Sequence, residues 1–285
     1  MVIRCVVLLM CCLWLVRVNA IQPVEIHTYD VLPPYAYRND QGELTGIYIE
    51  IVKKALSAMP DYSLKFKVFP WARAKANAKS GDAFAILPPY FHAHDWLTDT
   101  KPKRPYIWPY SLPLYTQRDV VICNNQKIKK NKMQYPHDYK DLSFVMWRGD
   151  GRAGVDFNKM VKQGHISVYL VNNISIVINL LLQGKFDCTV TSALPFAWYL
   201  EKHLNKKEFQ DTNTGMVLKQ VNTISRNEGY LGYTNINAKN NFPFKDDFVL
   251  KFDIEIYKMK RNGELKKIVD NFVNPALITP PSFQD

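Results

Sequence analysis

Cysteine is scarce in this chain and poorly placed for metal chemistry. Of five cysteines in 285 residues, Cys5, Cys11 and Cys12 fall near the start, leaving only Cys123 and Cys188 further on. Two thiols cannot build a four-thiolate zinc site or a disulfide-dense scaffold. Each sits in an apolar strand-like run, DVVIC or FDCTV, and reads as a buried structural thiol. A disulfide is the alternative in an oxidising compartment, and the distance it needs is not legible from sequence. His92 and His94 lack further ligands nearby, so no metal site is expected. Long hydrophobic runs are missing too. Cys5 to Val16 is a 12-residue apolar core, short of the roughly 20 residues that span a bilayer, and no later segment qualifies. There is no GxSxG, HExxH or paired-carboxylate signature, no internal repeat and no nucleic-acid recognition motif. No catalytic residue and no cofactor is therefore expected.

What is present at the start reads as an export signal. Arg4 gives a positive leader, Cys5 to Val16 the apolar core, and Val18-Asn19-Ala20 a small-residue cleavage site. Cleavage after Ala20 would leave 265 of the 285 residues as a chain soluble after processing, ample for one or two domains. Lys and Arg outnumber Asp and Glu by 37 to 26, a net +11 that falls to +9 without Arg4 and Arg17. In an exported protein this balance favours anionic ligands or anionic envelope surfaces. The run KIKKNK at 127–132 reads as a solvated loop.

Strand and helix patterns alternate along most of the remainder, which predicts parallel sheets flanked by helices. Val24 to Tyr29 is strand-like and stops at Pro33-Pro34, which cannot donate backbone hydrogen bonds. Tyr35 follows on a stiff loop at the strand's carboxyl end, where open α/β sheets place ligands. Apolar helices are predicted at Ile174 to Leu182, Ala193 to Leu204 and Asp246 to Lys260. Residues 88–115 are rich in proline and aromatics and predict irregular structure. Gly149 to Gly154 (GDGRAG) matches the GxGxxG pattern of dinucleotide sites. Asn172 and Asn173 stand where the ribose-binding acid should be, which argues against a nucleotide.

The order of PPYAY at 33–37, GELTGIYIEIVKKAL at 42–56, SGDAFAIL, DLSFVMWRGDG at 141–151, LLLQGKFDCTVTS at 180–192 and DIEIYKMKRNGELKKIVDNF at 253–272 resembles the bacterial extracellular solute-binding proteins of family 3. These are the amino-acid-binding, periplasmic type of ABC transporter component. The resemblance implies an α/β, two-lobe periplasmic binding protein (type II) with a ligand cleft between lobes and a hinge closure. Lobe 1 would comprise 21–117 and 226–285, and lobe 2 would comprise 118–225. It implies a non-enzymatic monomer in the periplasm that captures a small-molecule ligand for an inner-membrane ABC permease, or presents it to a chemoreceptor. A periplasmic dehydratase-like enzyme on the same fold is the other reading.

By the same resemblance, Tyr35, Trp71, Pro88 and Phe91 of lobe 1 and Arg148, Arg152, Asn172 and Ser192 of lobe 2 are the expected ligand contacts. Two departures stand out. The lobe-1 arginine that clamps an α-carboxylate has no counterpart, His94 to Trp96 occupying its neighbourhood. Ser192 replaces the acid that meets an ammonium. Arg148 and Arg152, beside a glycine-rich turn before a helix, are the substitutes favoured over Arg73.

Overall fold

A computed structural model describes residues 21–128, 133–148, 150–204 and 218–273. The expected export signal, most of the KIKKNK run, Gly149 and the tail at 274–285 lie outside the described residues. The first part of the chain forms β1 (Gln22–Thr28), the short strands β2 (Val31–Leu32), β3 (Ala36–Arg38) and β4 (Leu44–Thr45), helix α1 (Ile47–Ser57), β5 (Tyr62–Val68), α2 (Trp71–Ser80), β6 (Ala85–Ile86) and β7 (Ile107–Tyr110). The middle forms β8 (Tyr115–Asn124), β9 (Ser143–Trp147), α3 (Gly154–Lys162), β10 (Ser167–Val171), α4 (Ile174–Leu182), β11 (Cys188–Ser192), α5 (Ala193–Leu204) and β12 (Leu218–Gly229). The end returns as β13 (Gly232–Thr234), α6 (Ala238–Asn241), α7 (Lys245–Arg261) and α8 (Glu264–Asp270).

β2, β3 and β4 form a small antiparallel sheet, and the other ten strands make two five-stranded sheets, ordered β5-β1-β6-β13-β7 and β10-β9-β11-β8-β12. Neither five-stranded sheet is wholly parallel, which corrects the expectation from the alternating pattern. β1 pairs parallel with β5 and β6, but β13 runs antiparallel to β6 and β7. In the second sheet β9 is parallel to β10 and β11, while β8 is antiparallel to β11 and β12. The physical reason is the double crossing. The chain leaves the first sheet between β7 and β8 and returns between β12 and β13, so the outgoing and returning strands oppose each other. β8 and β12 pair along their length, from Tyr115 opposite Gly229 to Asn124 opposite Leu218. The fold is two α/β lobes joined by these two crossings.

Each lobe has its own core. In the first, Ile47, Ile51, Val52 and Ala55 of α1 pack with Phe248, Phe252 and Ile256 of α7. The spacing of four along α7 puts its aromatic and aliphatic side chains on one face. In the second lobe, α4 and α5 bury Val177, Ile178, Leu181, Phe196 and Leu200 on one face of the sheet. Phe157 and Met160 of α3 cover the other face. α1 begins at Gly46, whose φ of +123° suits only glycine, and a Cβ there would lie 2.4 Å from the Tyr35 carbonyl oxygen. That close approach lets the Ile47 and Tyr48 amides donate to the carbonyls of Pro34 and Tyr35, tying the Pro-Pro turn to the helix.

Cys123 and Cys188 face each other across β8 and β11 and form a disulfide, with sulfurs 2.01 Å apart. The buried-thiol expectation is corrected. Antiparallel register sets the two residues directly opposite, and a sequence separation of 65 hides that.

Lys245, at the start of α7, is buried beneath the first sheet. Its ammonium donates to the carbonyls of Trp108 (2.7 Å) and Thr234 (2.6 Å) and so joins β7 to β13. Burial pulls its pKa down to about 8, against 10.5 in the open chain. Between these values the unfolded chain binds more protons than the native one, so stability rises with pH. Above pH 10 the buried tyrosines, whose pKa values are raised by burial, reverse the slope. Urea titrations from pH 8 to 10 should show a gain of about 1–2 kcal/mol in the native protein. The Lys245→Met variant should lose most of that rise, and an unchanged slope would remove Lys245 as its cause.

Candidate ligand site

Between the lobes lies a cavity of about 400 Å³. Its first-lobe wall is Val31, Leu32, Pro33 and Tyr90, with Gln117 of β8 at the crossing. Its second-lobe wall runs from Trp147, Asp150 and Arg152 through Asn172 to Ser175, then Thr189 to Ser192, Pro195 and Tyr199. A second part of the cleft shares Tyr90, Gln117, Trp147, Asp150 and Arg152 and adds Asp119, Arg148, Gly151 and Asn227.

The polar end of the cavity is a single connected network. Asp119 and Ser192 are paired residues of β8 and β11. The Ser192 hydroxyl donates to Asp119 Oδ1 at 2.8 Å and accepts from Gln117 Nε2 at 2.7 Å. Ser225 Oγ donates to Asp119 Oδ2 at 2.6 Å. Arg152 donates through Nη1 to Asp119 Oδ1 at 3.0 Å and also to Ser192 Oγ. Its Nε donates to Asp150 Oδ1 at 2.6 Å, and the Asp150 carboxylate also takes the Arg152 amide at 3.1 Å. Two carboxylates thus hold one guanidinium by charge-assisted hydrogen bonds. Arg152 Nη2 and Asp150 Oδ2 have no protein partner among the described residues, so one donor edge and one acceptor atom remain for a ligand. Tyr90 OH donates to Gln117 Oε1 at 2.7 Å. Burial and the Asp119 charge raise the Tyr90 pKa, against an opposing effect from Arg152, keeping it a neutral donor. Arg148 Nε donates to Asn172 Oδ1 at 3.0 Å at the rim. At the start of α4, Asn173 Oδ1 caps its own helix by accepting from the Ser175 amide at 2.7 Å.

Of the residues singled out from sequence, Arg152, Asn172 and Ser192 line the cavity, and Arg148 lines its continuation. Phe91 is half-exposed in an adjoining groove with His92, Arg226, Glu228 and Tyr230, its ring against Tyr110. Tyr35 is elsewhere. It is 1 % exposed, packed against Tyr48 and Tyr115 in the first-lobe core. The turn that brings its amide onto the Leu32 carbonyl at 2.8 Å sends the tyrosine ring inward, while Val31, Leu32 and Pro33 of that turn line the cavity. Trp71 opens α2 with its ring against Tyr29 and Trp96 and does not line the cavity, and Pro88 is buried and does not line it either. Arg73 is exposed on α2. Asp119, Asp150, Gln117 and Trp147 were not picked out from sequence. For Asp119 a signal existed, a lone acid leading an apolar strand, and its role emerges only from its pairing with Ser192. Among the described residues no group of three or more His, Cys, Asp or Glu is placed to hold a metal.

No protein-family model matches the chain. A protein of Haemophilus influenzae described as a probable amino-acid ABC transporter-binding protein is 21% identical over 191 residues, covering 66% of this chain and 67% of that protein. The L-cystine solute receptor of Neisseria gonorrhoeae, solved unliganded and open, superposes with a TM-score of 0.63 at 21% identity, covering 90% of this chain and 94% of its own. Substrate-binding domain 2 of GlnP from Lactococcus lactis, also open, gives 0.61 at 16% identity over 88% of this chain and 95% of its own. The two lobes, the double crossing and these likenesses agree with the motif order: the chain has the two-lobe fold of the family 3 extracellular solute-binding proteins.

Proposed function

We propose that this protein is a periplasmic solute-binding protein that captures a small carboxylate-bearing solute between its lobes and delivers it to an inner-membrane ABC permease. The observation that carries this reading is the Arg152 guanidinium, anchored by Asp119 and Asp150, with a free edge on a cavity between two lobes. An arginine held on two sides loses little side-chain entropy when it takes an anion, which favours capture over loose attraction. Asp150 Oδ2 is the natural partner for an ammonium on the same ligand. The missing first-lobe arginine and the serine at 192 are thereby compensated from the second lobe. The lobe boundaries 21–117, 118–225 and 226–285 are proposed as the moving bodies, closing about the β8 and β12 crossing. Export by the leader at 1–20 and a monomeric state belong to the same reading, and the relative described as an ABC transporter-binding protein supports its transport part.

A thermal-shift and calorimetric screen of amino acids, small carboxylates and amines tests it. A ligand at 100-fold its dissociation constant should stabilise by about 2.7 kcal/mol. Carboxylates should raise the melting temperature and simple amines should not. A response to amines alone, or none to any carboxylate at millimolar concentration, overturns the reading.

A further inference from the structure

Trp147 is the last residue of β9 and is 51 % exposed, although it stands in the cleft rather than on the outer surface. Among the described residues its ring meets no other aromatic ring. An exposed indole inside a binding cleft is a flat apolar face held ready for a partner. Tyr90 lines the same two parts of the cleft from the other lobe, its hydroxyl fixed on Gln117. Away from Arg152 the cavity wall is uncharged and mixed, with Leu32 and Pro33 on one lobe and Ile174, Pro195 and Tyr199 on the other interleaved with the amides and hydroxyls of Asn172, Ser175 and Thr191. Among the described residues the only charged side chains lining this cavity are Asp150 and Arg152, which pair with each other, while Asp119 and Arg148 line its continuation. The far end of this cavity therefore offers a ligand no charged partner. The aromatic positions expected in the first lobe, Tyr35 and Trp71, do not line the cavity, so the stacking surface has moved to the second lobe.

We infer that the cavity takes an aromatic monocarboxylate, its carboxylate on Arg152 and its ring on Trp147, and that Trp147 determines this choice. The inference rests on the solute-binding reading above. An aromatic amino acid would add an ammonium to Asp150, and a deaminated analogue would leave that atom to water.

Calorimetric titration with phenylalanine, tryptophan, phenylpyruvate and phenylacetate, against alanine, acetate, glutamate and arginine, tests it. The aromatic probes should bind at least about 100-fold more tightly than alanine or acetate. Phenylalanine against phenylpyruvate separates the amino acid from its deaminated form. Trp147→Ala should weaken the aromatic probes about 30-fold or more, and Trp147→Phe should recover most of the loss. A melting temperature within about 2 °C of the parent shows that the fold is intact, as a half-exposed side chain predicts. If alanine, glutamate or arginine binds as tightly as phenylalanine, with Arg152→Ala abolishing that binding and Trp147→Ala leaving it unchanged, this inference falls and the carboxylate reading stands. If no carboxylate binds, both fall.

Discussion

Replacing Arg152 by alanine is expected to lower affinity for the proposed carboxylate ligand by 100-fold or more, read by calorimetry. Charge-assisted hydrogen bonds contribute about 1.5–3 kcal/mol each, and the free edge of Arg152 offers donors in the planar geometry a carboxylate fits. Two such bonds, with the burial of the closed cleft, account for two or more factors of ten. The substitution also leaves Asp119 and Asp150 facing each other across the space the guanidinium filled. A ligand carboxylate arriving there meets the two negative charges without the guanidinium between them. Arg152→Lys keeps the charge but cannot reach Asp119, Asp150 and Ser192 together, and should recover only part of the affinity. Asp119→Asn keeps the shape and removes one anchor. Its expected loss is smaller, about 10-fold, because Asp150 still holds Nε. Equal binding by the parent and Arg152→Ala would remove the arginine from the site.

Opening the Cys123–Cys188 bridge is expected to cost about 2–4 kcal/mol of stability. Cross-linking residues 65 apart removes loop-closure freedom from the unfolded chain, and the chain-entropy relation for a loop of that size gives about 4 kcal/mol as its upper figure. The bridge joins β8 to β11, and β8 is also the strand that pairs with β12 at the crossing. The same β8–β11 ladder places Asp119 beside Ser192, four residues from each cysteine. Loosening the pairing therefore reaches the candidate ligand site as well as the core. The paired Cys123→Ser, Cys188→Ser variant should melt about 5–15 °C lower, measured by calorimetry. Reduction of the parent should reproduce the fall, and equal melting temperatures with and without reductant would argue against the bridge.

Much of the fold was legible along the chain because its signals are local. The apolar spacing at Ile174 to Leu182 and Ala193 to Leu204 marks two helices with the bounds the structure shows. The Pro-Pro steps at 33–34 and 88–89 each follow the end of a strand, β2 at Leu32 and β6 at Ile86. The site was legible in part, and the division follows the same physics. Arg152 announced itself by a glycine-flanked turn. Ser192 announced itself by the motif around it, and was read as the loss of an acid. Tyr35 was misplaced because a turn's sequence tells that the chain reverses, while the direction of a side chain depends on which backbone carbonyl the turn closes upon. Trp147 carried no signal, since one more aromatic at a strand end looks like core.

By itself the sequence determined the alternation of strands and helices and the absence of a metal or nucleophile signature. Only the tertiary structure decided that Cys123 meets Cys188, that Asp119 stands beside Ser192, and that Arg152 is held between two carboxylates. These pairings join residues 65, 73 and 33 apart along the chain. Periodicity reports which face a residue occupies, but strand register decides what it touches, and register across a double crossing is set by the packing of both lobes together.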